Sequence, residues 1–83
     1  MSSSDQIKQL IGDAIETQHI IADLNGANIN LVVVSKQFEG LSSVKKQQMV
    51  YACLNDLIAS GDLHAVTMKL YTAAEWEKAK HLV

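Results

Sequence analysis

The chain has 83 residues, 48% of them hydrophobic, and a formal net charge of −2 at pH 7. This length predicts one small domain over residues 1–83, and the apolar fraction argues against intrinsic disorder. All seven basic residues are lysines. Nucleic-acid-binding domains are usually basic and use arginine to contact phosphate and guanine, so the composition disfavours nucleic acid as the main ligand.

Cysteine content and the N-terminal sequence bear on the cellular compartment. The single cysteine, Cys53, excludes an intramolecular disulfide. Met1 is followed by three serines, without the basic region and apolar core of a signal peptide. The apolar runs are also too short to span a bilayer. We therefore expect a soluble cytoplasmic protein that does not enter membranes.

The first segment has the pattern of an amphipathic helix. Ser3 or Ser4 is expected to begin it, because Ser3 and Gln6 have the spacing of a capping box. Apolar residues then recur at helical intervals, at Ile7, Leu10, Ile11, Ala14 and Ile15.

Two runs rich in β-branched residues predict a β-hairpin. The runs, His19–Leu24 and Asn28–Ser35, flank Asn25-Gly26, a sequence typical of tight turns. With Asn25-Gly26 as a two-residue loop, the predicted cross-strand partners are Leu24 with Ala27, Ala22 with Ile29, and Ile20 with Leu31. One face of the hairpin then carries Ile20, Ala22, Leu24, Ile29, Leu31 and Val33.

A connector leads from the hairpin to the longest predicted helix. The connector contains the aromatic Phe38 and turns at Gly40. Ser42 or Ser43 is expected to cap the helix, which runs to about Ser60 and ends at Gly61. The apolar sector of this helix includes Val50, Cys53, Leu54, Leu57 and Ile58.

The C-terminal segment predicts a third strand and a short helix. Alternation over His64–Tyr71 places on one face His64, Val66, Met68 and Leu70. Thr72 and Glu75 form a second capping box, which opens a helix that ends near Lys80. The sequence therefore predicts an α+β domain of order α-β-β-α-β-α, in which helices cover a three-stranded sheet.

Several spaced residues in the second half of the chain occur together in a known family. They are Phe38, Gly40, Val44-Lys45-Lys46-Gln47-Gln48, Val50-Tyr51, Leu63-His64-Ala65, Tyr71-Thr72 and Glu75-Trp76. This segment resembles the BolA family, and within it the short bacterial members of the IbaG type. Val32–Val34 and the order of elements extend the match more weakly over the rest of the chain.

The resemblance implies a fold, a partner and a cofactor. The fold is a BolA-like domain of class II KH-like topology without a Gly-x-x-Gly nucleic-acid loop. Members commonly act as partners of monothiol glutaredoxins, with which they hold or traffic a [2Fe-2S] cluster in iron homeostasis and stress response. Glutathione shares in holding such a cluster, which this chain does not bind alone.

The resemblance also implies a metal ligand. The recurrent family histidine before the last strand matches His64. Many members add a Cys or His ligand in the loop between the first two strands, but the segment Leu24–Asn28 contains neither, and Asn28 lies near the expected position. The resemblance thus implies one certain ligand from this chain and leaves the second open.

The residues by themselves identify few metal donors. A cluster or structural zinc needs about four donors, and the chain offers His19, His64, His81 and Cys53. Taken alone, His64 is better explained as a rim histidine hydrogen-bonded to backbone than as a metal ligand. His19 is expected to be exposed and solvated, and His81 lies in a terminal segment without an assigned function. Cys53 is expected to be a small buried hydrophobic residue.

Lys45 and Lys46 are the second pair of candidate contact residues. They stand in the first turn of the long helix, where positive charge opposes the helix dipole. They are interpreted either as contacts for an acidic partner, glutathione carboxylates or phosphate, or as two solvated lysines. The alternative function, a KH-like transcriptional regulator that binds DNA, would depend on them.

The sequence shows no catalytic constellation. Ser42 and Ser43 are explained as helix caps, and nothing supplies them with a base. Tyr71 and Trp76 are expected to close the core rather than to stack on a nucleic-acid base. A protein-interaction module without metal, and weak homodimerisation, also stay open at this point.

Overall fold

A computed structural model describes residues 3–80 of the chain. The order of its helices and strands confirms the predicted α+β class. The connector between the hairpin and the long helix also contains a 3₁₀ turn, Lys36–Phe38, that was not predicted. The helices and strands are α1 (Ser4–Ala14), β1 (His19–Asn25), β2 (Asn28–Val34), α2 (Ser43–Ala59), β3 (Ala65–Tyr71) and α3 (Ala73–Ala79).

Polar side chains begin the two longer helices where the sequence predicts. The Ser3 hydroxyl oxygen accepts a hydrogen bond from the Gln6 N–H at 3.1 Å, and α1 starts at the next residue. The Ser42 oxygen accepts from the Lys45 N–H at 3.2 Å and caps α2. At the far end of α2, Gly61 takes a φ of +85°, which glycine adopts without steric cost.

The three strands form one mixed sheet in the order β1-β2-β3. β1 and β2 are antiparallel, whereas β2 and β3 are parallel and are connected through α2. The register defines two ends of the sheet: a turn end, at Asn25, Asn28 and Ala65, and an α3 end, at His19, Val34 and Tyr71.

The predicted register of the hairpin is wrong by two positions. Asn25 pairs with Asn28, so the loop is Gly26-Ala27 rather than Asn25-Gly26. The observed partners are Leu24 with Ile29, Ala22 with Leu31, and Ile20 with Val33. Gly26 has a φ of +63°, as the first central residue of a type II′ turn requires. A type I′ turn over Asn25-Gly26 would need a positive φ at Asn25, and in residues 3–80 only glycines have one.

A shift of two residues leaves the predicted faces intact, because side chains alternate with a period of two. The core lies between α1, α2 and one face of the sheet. Its buried members are Ile7, Ile11, Ile15, Ile29, Leu31, Val33, Phe38, Val50, Leu54 and Leu63. Within the part of the chain described, no helix is long and apolar enough to cross a membrane.

Among residues 3–80, α3 covers the second face of the sheet at one end. Thr72 and Glu75 form a complete capping box that starts α3, as predicted. Tyr71 and Trp76 are half-buried and do not belong to the main core, contrary to the sequence-based expectation. They lie with α3 at the α3 end, where Val34 is buried on the face opposite the core.

Candidate functional site

Hydrogen bonds hold the backbone at His64 in place, whereas the His64 side chain is exposed to solvent. Leu63 before it is buried, and the Leu63 N–H donates to the Leu57 carbonyl at 3.1 Å. The His64 N–H donates to the Ala27 carbonyl at 2.8 Å. β3 begins at Ala65, one residue later than predicted, so His64 lies just outside the strand and its imidazole faces solvent.

The turn between β1 and β2 lies directly beside His64. Its Ala27 carbonyl accepts the His64 N–H, and Asn28 is the register partner of Ala65 in the parallel pairing. Asn28 is exposed. This turn, in which the resemblance to BolA proteins implies a second donor, therefore lies beside His64, but it contributes amide and backbone groups rather than a thiolate or imidazole.

The other predicted donors lie elsewhere. His19 is at the α3 end of the sheet, whereas His64 is at the turn end. Cys53 is half-buried in α2, and its thiol donates to the Met49 carbonyl at 3.3 Å. Burial raises the pKa of the Cys53 thiol, an effect partly opposed by the backbone N–H of Cys53 itself, which favours the thiolate. His81 lies outside the described residues.

Within residues 3–80, no three histidine, cysteine or acidic side chains converge as a metal site. The described residues could therefore take part in binding a [2Fe-2S] cluster only as one contributor among several molecules. His64 would contribute a single accessible imidazole, and the remaining ligands would come from outside this chain.

The two candidate lysines differ in their surroundings. Lys46 Nζ lies 3.5 Å from Glu75 Oε1, and only 14% of the Lys46 side chain is exposed. This ion pair joins α2 to α3 and partly offsets the unfavourable position of Lys46 near the start of α2. Lys45 is exposed. Partner or nucleic-acid contact by Lys45 and Lys46 stays a prediction.

A family model described as BolA, BolA-like protein, matches residues 7–75. The chain belongs to the BolA family. A BolA relative of similar length is the Acid stress protein IbaG of Escherichia coli K12, 35% identical over 79 residues that cover 95% of this chain and 94% of the relative. The predicted membership among short bacterial BolA proteins is thereby confirmed.

Two further BolA comparisons agree. An uncharacterised protein of Acinetobacter guillouiae from the rpoN-murA intergenic region is 39% identical over 77 residues, which cover 93% of each chain. The crystal structure of a Bol-like protein from Babesia bovis superposes with a TM-score of 0.86 at 28% identity, covering 96% of this chain and 95% of that one. The fold is therefore that of BolA proteins.

Sequence patterns alone did not identify the contact between His64 and the β1–β2 turn. The two segments are 37 residues apart, counted from Ala27 to His64, and meet because β3 pairs in parallel with β2. The sequence did predict a strand–helix–strand connection through α2, and parallel strands usually need such a connection, so it could have indicated that the start of β3 lies beside the start of β2.

Proposed function

We propose that this chain is a non-catalytic partner of a monothiol glutaredoxin and helps to hold or traffic a [2Fe-2S] cluster. His64 is the ligand from this chain. One observation carries the proposal. The imidazole of His64 is exposed, while the His64 N–H is hydrogen-bonded to the Ala27 carbonyl of the β1–β2 turn at 2.8 Å. Membership of the BolA family supports this class of partner.

The number of donors determines how the cluster is shared. Protein-bound [2Fe-2S] clusters usually have four protein ligands. His64 contributes one, and the glutaredoxin thiolate and the glutathione thiolate would supply two more, so the source of the fourth ligand stays open. When bound, the cluster would supply electron-transfer or cluster-transfer chemistry. The chain itself would position the imidazole, because Leu63 anchors one side of His64 and Ala27 the other.

The local structure suits a ligand that exchanges. His64 is exposed and belongs to no regular element, so a partner can approach it without unfolding β3. A single neutral imidazole binds iron less strongly than a thiolate, which favours a cluster that can be passed on. We propose that this cluster binding or transfer contributes to iron homeostasis and to the stress response. The name of the Escherichia coli relative, Acid stress protein IbaG, supports the part in stress.

The test is cluster reconstitution with the cognate monothiol glutaredoxin. Visible circular dichroism of the glutaredoxin–glutathione cluster is recorded before and after addition of this protein. We expect a new spectrum with the wild-type chain and the original spectrum with His64→Ala. His19→Ala is the matched control, because it removes a histidine at the opposite end of the sheet.

Complex formation is measured separately by size-exclusion chromatography with iron analysis. A His64→Ala chain that co-elutes with glutaredoxin but leaves the spectrum unaltered supports ligation by His64. A wild-type chain that neither co-elutes nor alters the spectrum contradicts the proposal as a whole. Equal spectra for wild-type and His64→Ala complexes contradict the ligand assignment.

The alternative of a DNA-binding regulator has less support in the charge distribution. Of the two lysines on which it depends, Lys46 is paired with Glu75 and mostly covered. Lys45 alone remains exposed at this place. Titration of labelled duplex at low and high salt tests this alternative, since binding through phosphates weakens steeply with salt.

A further inference from the structure

One flank of α2 exposes a line of apolar side chains. Val44, Tyr51 and Ile58 are 61%, 38% and 37% exposed, and they are three of the five large hydrophobic residues that are exposed in residues 3–80. They are seven residues apart, which is close to two helical turns, so they follow one another along the helix. We call these three residues the α2 stripe. Apolar residues at this spacing are the pattern by which one helix packs along another.

The α2 stripe lies on the outer side of the molecule. Met49 and Cys53, on the opposite flank of α2, pack against the core. Gln47, on the flank of the stripe, lines a shallow groove with Met68 and Leu70 of β3. Since β3 is an edge strand, the sheet ends on this side. The stripe is therefore open to another molecule.

The charges of α2 are placed against the dipole of their own helix. Lys45 and Lys46 are near its N-terminus and Asp56 is near its C-terminus, whereas residues 47–55 carry no charge. Cations are favourable at the C-terminus of a helix and anions at the N-terminus. The exposed Lys45 and Asp56 would come to favourable ends beside an antiparallel helix of the same sequence. This arrangement of charge suits a second copy of the chain.

We propose that the α2 stripe is a homodimer contact, in which α2 packs antiparallel on α2 of a second copy. A two-fold axis passes beside Tyr51, so the two Tyr51 rings meet, and Val44 of each copy meets Ile58 of the other. The same alignment places the Asn55 amide beside the Gln47 amide of the other copy, and amides both donate and accept hydrogen bonds. No charged side chain of α2 then faces its own copy across the stripe.

The size of the contact makes the dimer weak. α2 has 17 residues and is about 25 Å long. A single pair of such helices falls below the roughly 1,200 Å² of total buried area at which stable interfaces begin, so we expect a dissociation constant on the order of 100 μM. The stripe and the proposed cluster ligand share no residue, and His64→Ala should dimerise as the wild type does.

Sedimentation equilibrium of the full chain between about 10 μM and 1 mM tests the contact. Tyr51→Glu places two carboxylates together at the axis and should raise the dissociation constant by about tenfold or more. The matched control is Ile21→Glu, because Ile21 is 42% exposed on the face of the sheet away from α2. Ile21→Glu should leave the dissociation constant unchanged. Circular dichroism verifies the fold of each variant.

Disulfide trapping tests the antiparallel alignment. Val44→Cys and Ile58→Cys are combined with Cys53→Ala in one chain and oxidised at high concentration. Positions 44 and 58 are about 21 Å apart along one helix, which is too far for an intramolecular disulfide. We expect mass spectrometry to find dimers with disulfides between position 44 of one copy and position 58 of the other.

Three results would overturn the proposal. The first is a wild-type chain that stays monomeric at 1 mM, whether or not any variant folds. The second is a dimer whose dissociation constant is unaltered by Tyr51→Glu or is raised as much by Ile21→Glu, since either places the contact outside the α2 stripe. The third is a predominance of disulfides that join position 44 of both copies, which indicates parallel helices.

Discussion

The buried Ser35 hydroxyl donates a hydrogen bond to the Glu16 carbonyl oxygen at 2.6 Å. Ser35 Oγ also accepts a hydrogen bond from the Gln37 N–H at 3.1 Å, and the Ser35 N–H donates to the Tyr71 carbonyl at 3.0 Å. Gln37 Oε1 in turn accepts from the Glu16 N–H at 2.8 Å. Ser35 thus joins the loop before β1 to the end of β2 through its side chain, and to the end of β3 through its backbone N–H.

Ser35→Ala should lower the free energy of unfolding by about 1–3 kcal/mol, since it leaves the Glu16 carbonyl and the Gln37 N–H without their partner. Urea denaturation followed by far-UV circular dichroism measures this loss. Ser60→Ala is the control, because Ser60 Oγ donates to the Leu57 carbonyl at an exposed site. Equal losses in the two variants would show that burial of Ser35 contributes nothing.

Glu75→Gln should weaken the docking of α3 in a pH-dependent way. The pKa of the Glu75 carboxyl is held below its ordinary 4.5, first by the Thr72 N–H at 2.9 Å and then by Lys46. The carboxylate therefore stabilises the fold above the ordinary carboxyl pKa, and this contribution is lost as the pH falls through the lowered one.

The effect of Glu75→Gln on stability should be about 0.5–1 kcal/mol at pH 7, because the side chain is half exposed and solvent screens the pair. Thermal unfolding at pH 7 and pH 3 measures it. Lys46→Met isolates the ion pair, since it leaves the capping box of Thr72 and Glu75 intact. If the wild-type chain is more stable than Glu75→Gln by the same amount at pH 3 as at pH 7, this explanation is contradicted.

Cys53 should react slowly with iodoacetamide in the folded chain. Burial raises the pKa of its thiol, so a smaller fraction is thiolate at a given pH than in the unfolded chain. Alkylation followed by mass spectrometry, with and without urea, compares the two states. We expect urea to accelerate the reaction and Cys53→Ala to leave the cluster spectrum unchanged. A rate unaffected by urea would mean that the thiol is freely accessible.

Asn28→Cys should strengthen cluster binding in the complex with glutaredoxin. Asn28 is exposed and is the register partner of Ala65, next to His64, so its replacement adds a thiolate beside the imidazole. We expect cluster loss to slow by about tenfold, equivalent to about 1.4 kcal/mol. Visible absorbance after addition of a chelator follows the loss.

The matched control for Asn28→Cys is Asn30→Cys, an exposed asparagine two positions along β2. A thiol at position 30 is farther from His64 along the strand and should not slow cluster loss. If both cysteine variants slow the loss equally, non-specific thiol binding explains the effect. The gain from Asn28→Cys should also disappear in the double variant with His64→Ala.

The order of elements and the apolar faces could be predicted because they follow from local chemistry. The hydroxyls of Ser3, Ser42 and Thr72 start the helices, and alternation of side chains assigns the sheet faces. The hairpin register could not be fixed in this way. Asn25-Gly26 and Gly26-Ala27 both place glycine in a tight turn, and a two-residue shift keeps every side chain on its face.

The candidate site was predicted only in part for a related reason. The resemblance to BolA proteins singled out His64, but the contacts that surround it come from residues distant in sequence. Lys46 illustrates the limit: its position in the first turn of α2 indicates a free cation, whereas Glu75 of α3 pairs with it. Likewise nothing near His19 in the sequence indicates that Trp76 covers its ring.

Trp76 is the single tryptophan of the chain, and it lies outside the main core. Intrinsic fluorescence will therefore report the environment of α3 rather than the packing of the core. A denaturation curve recorded by tryptophan emission can precede one recorded by far-UV circular dichroism if α3 leaves the sheet first. Agreement between the two optical transitions would establish that the last helix and the core melt as one cooperative unit.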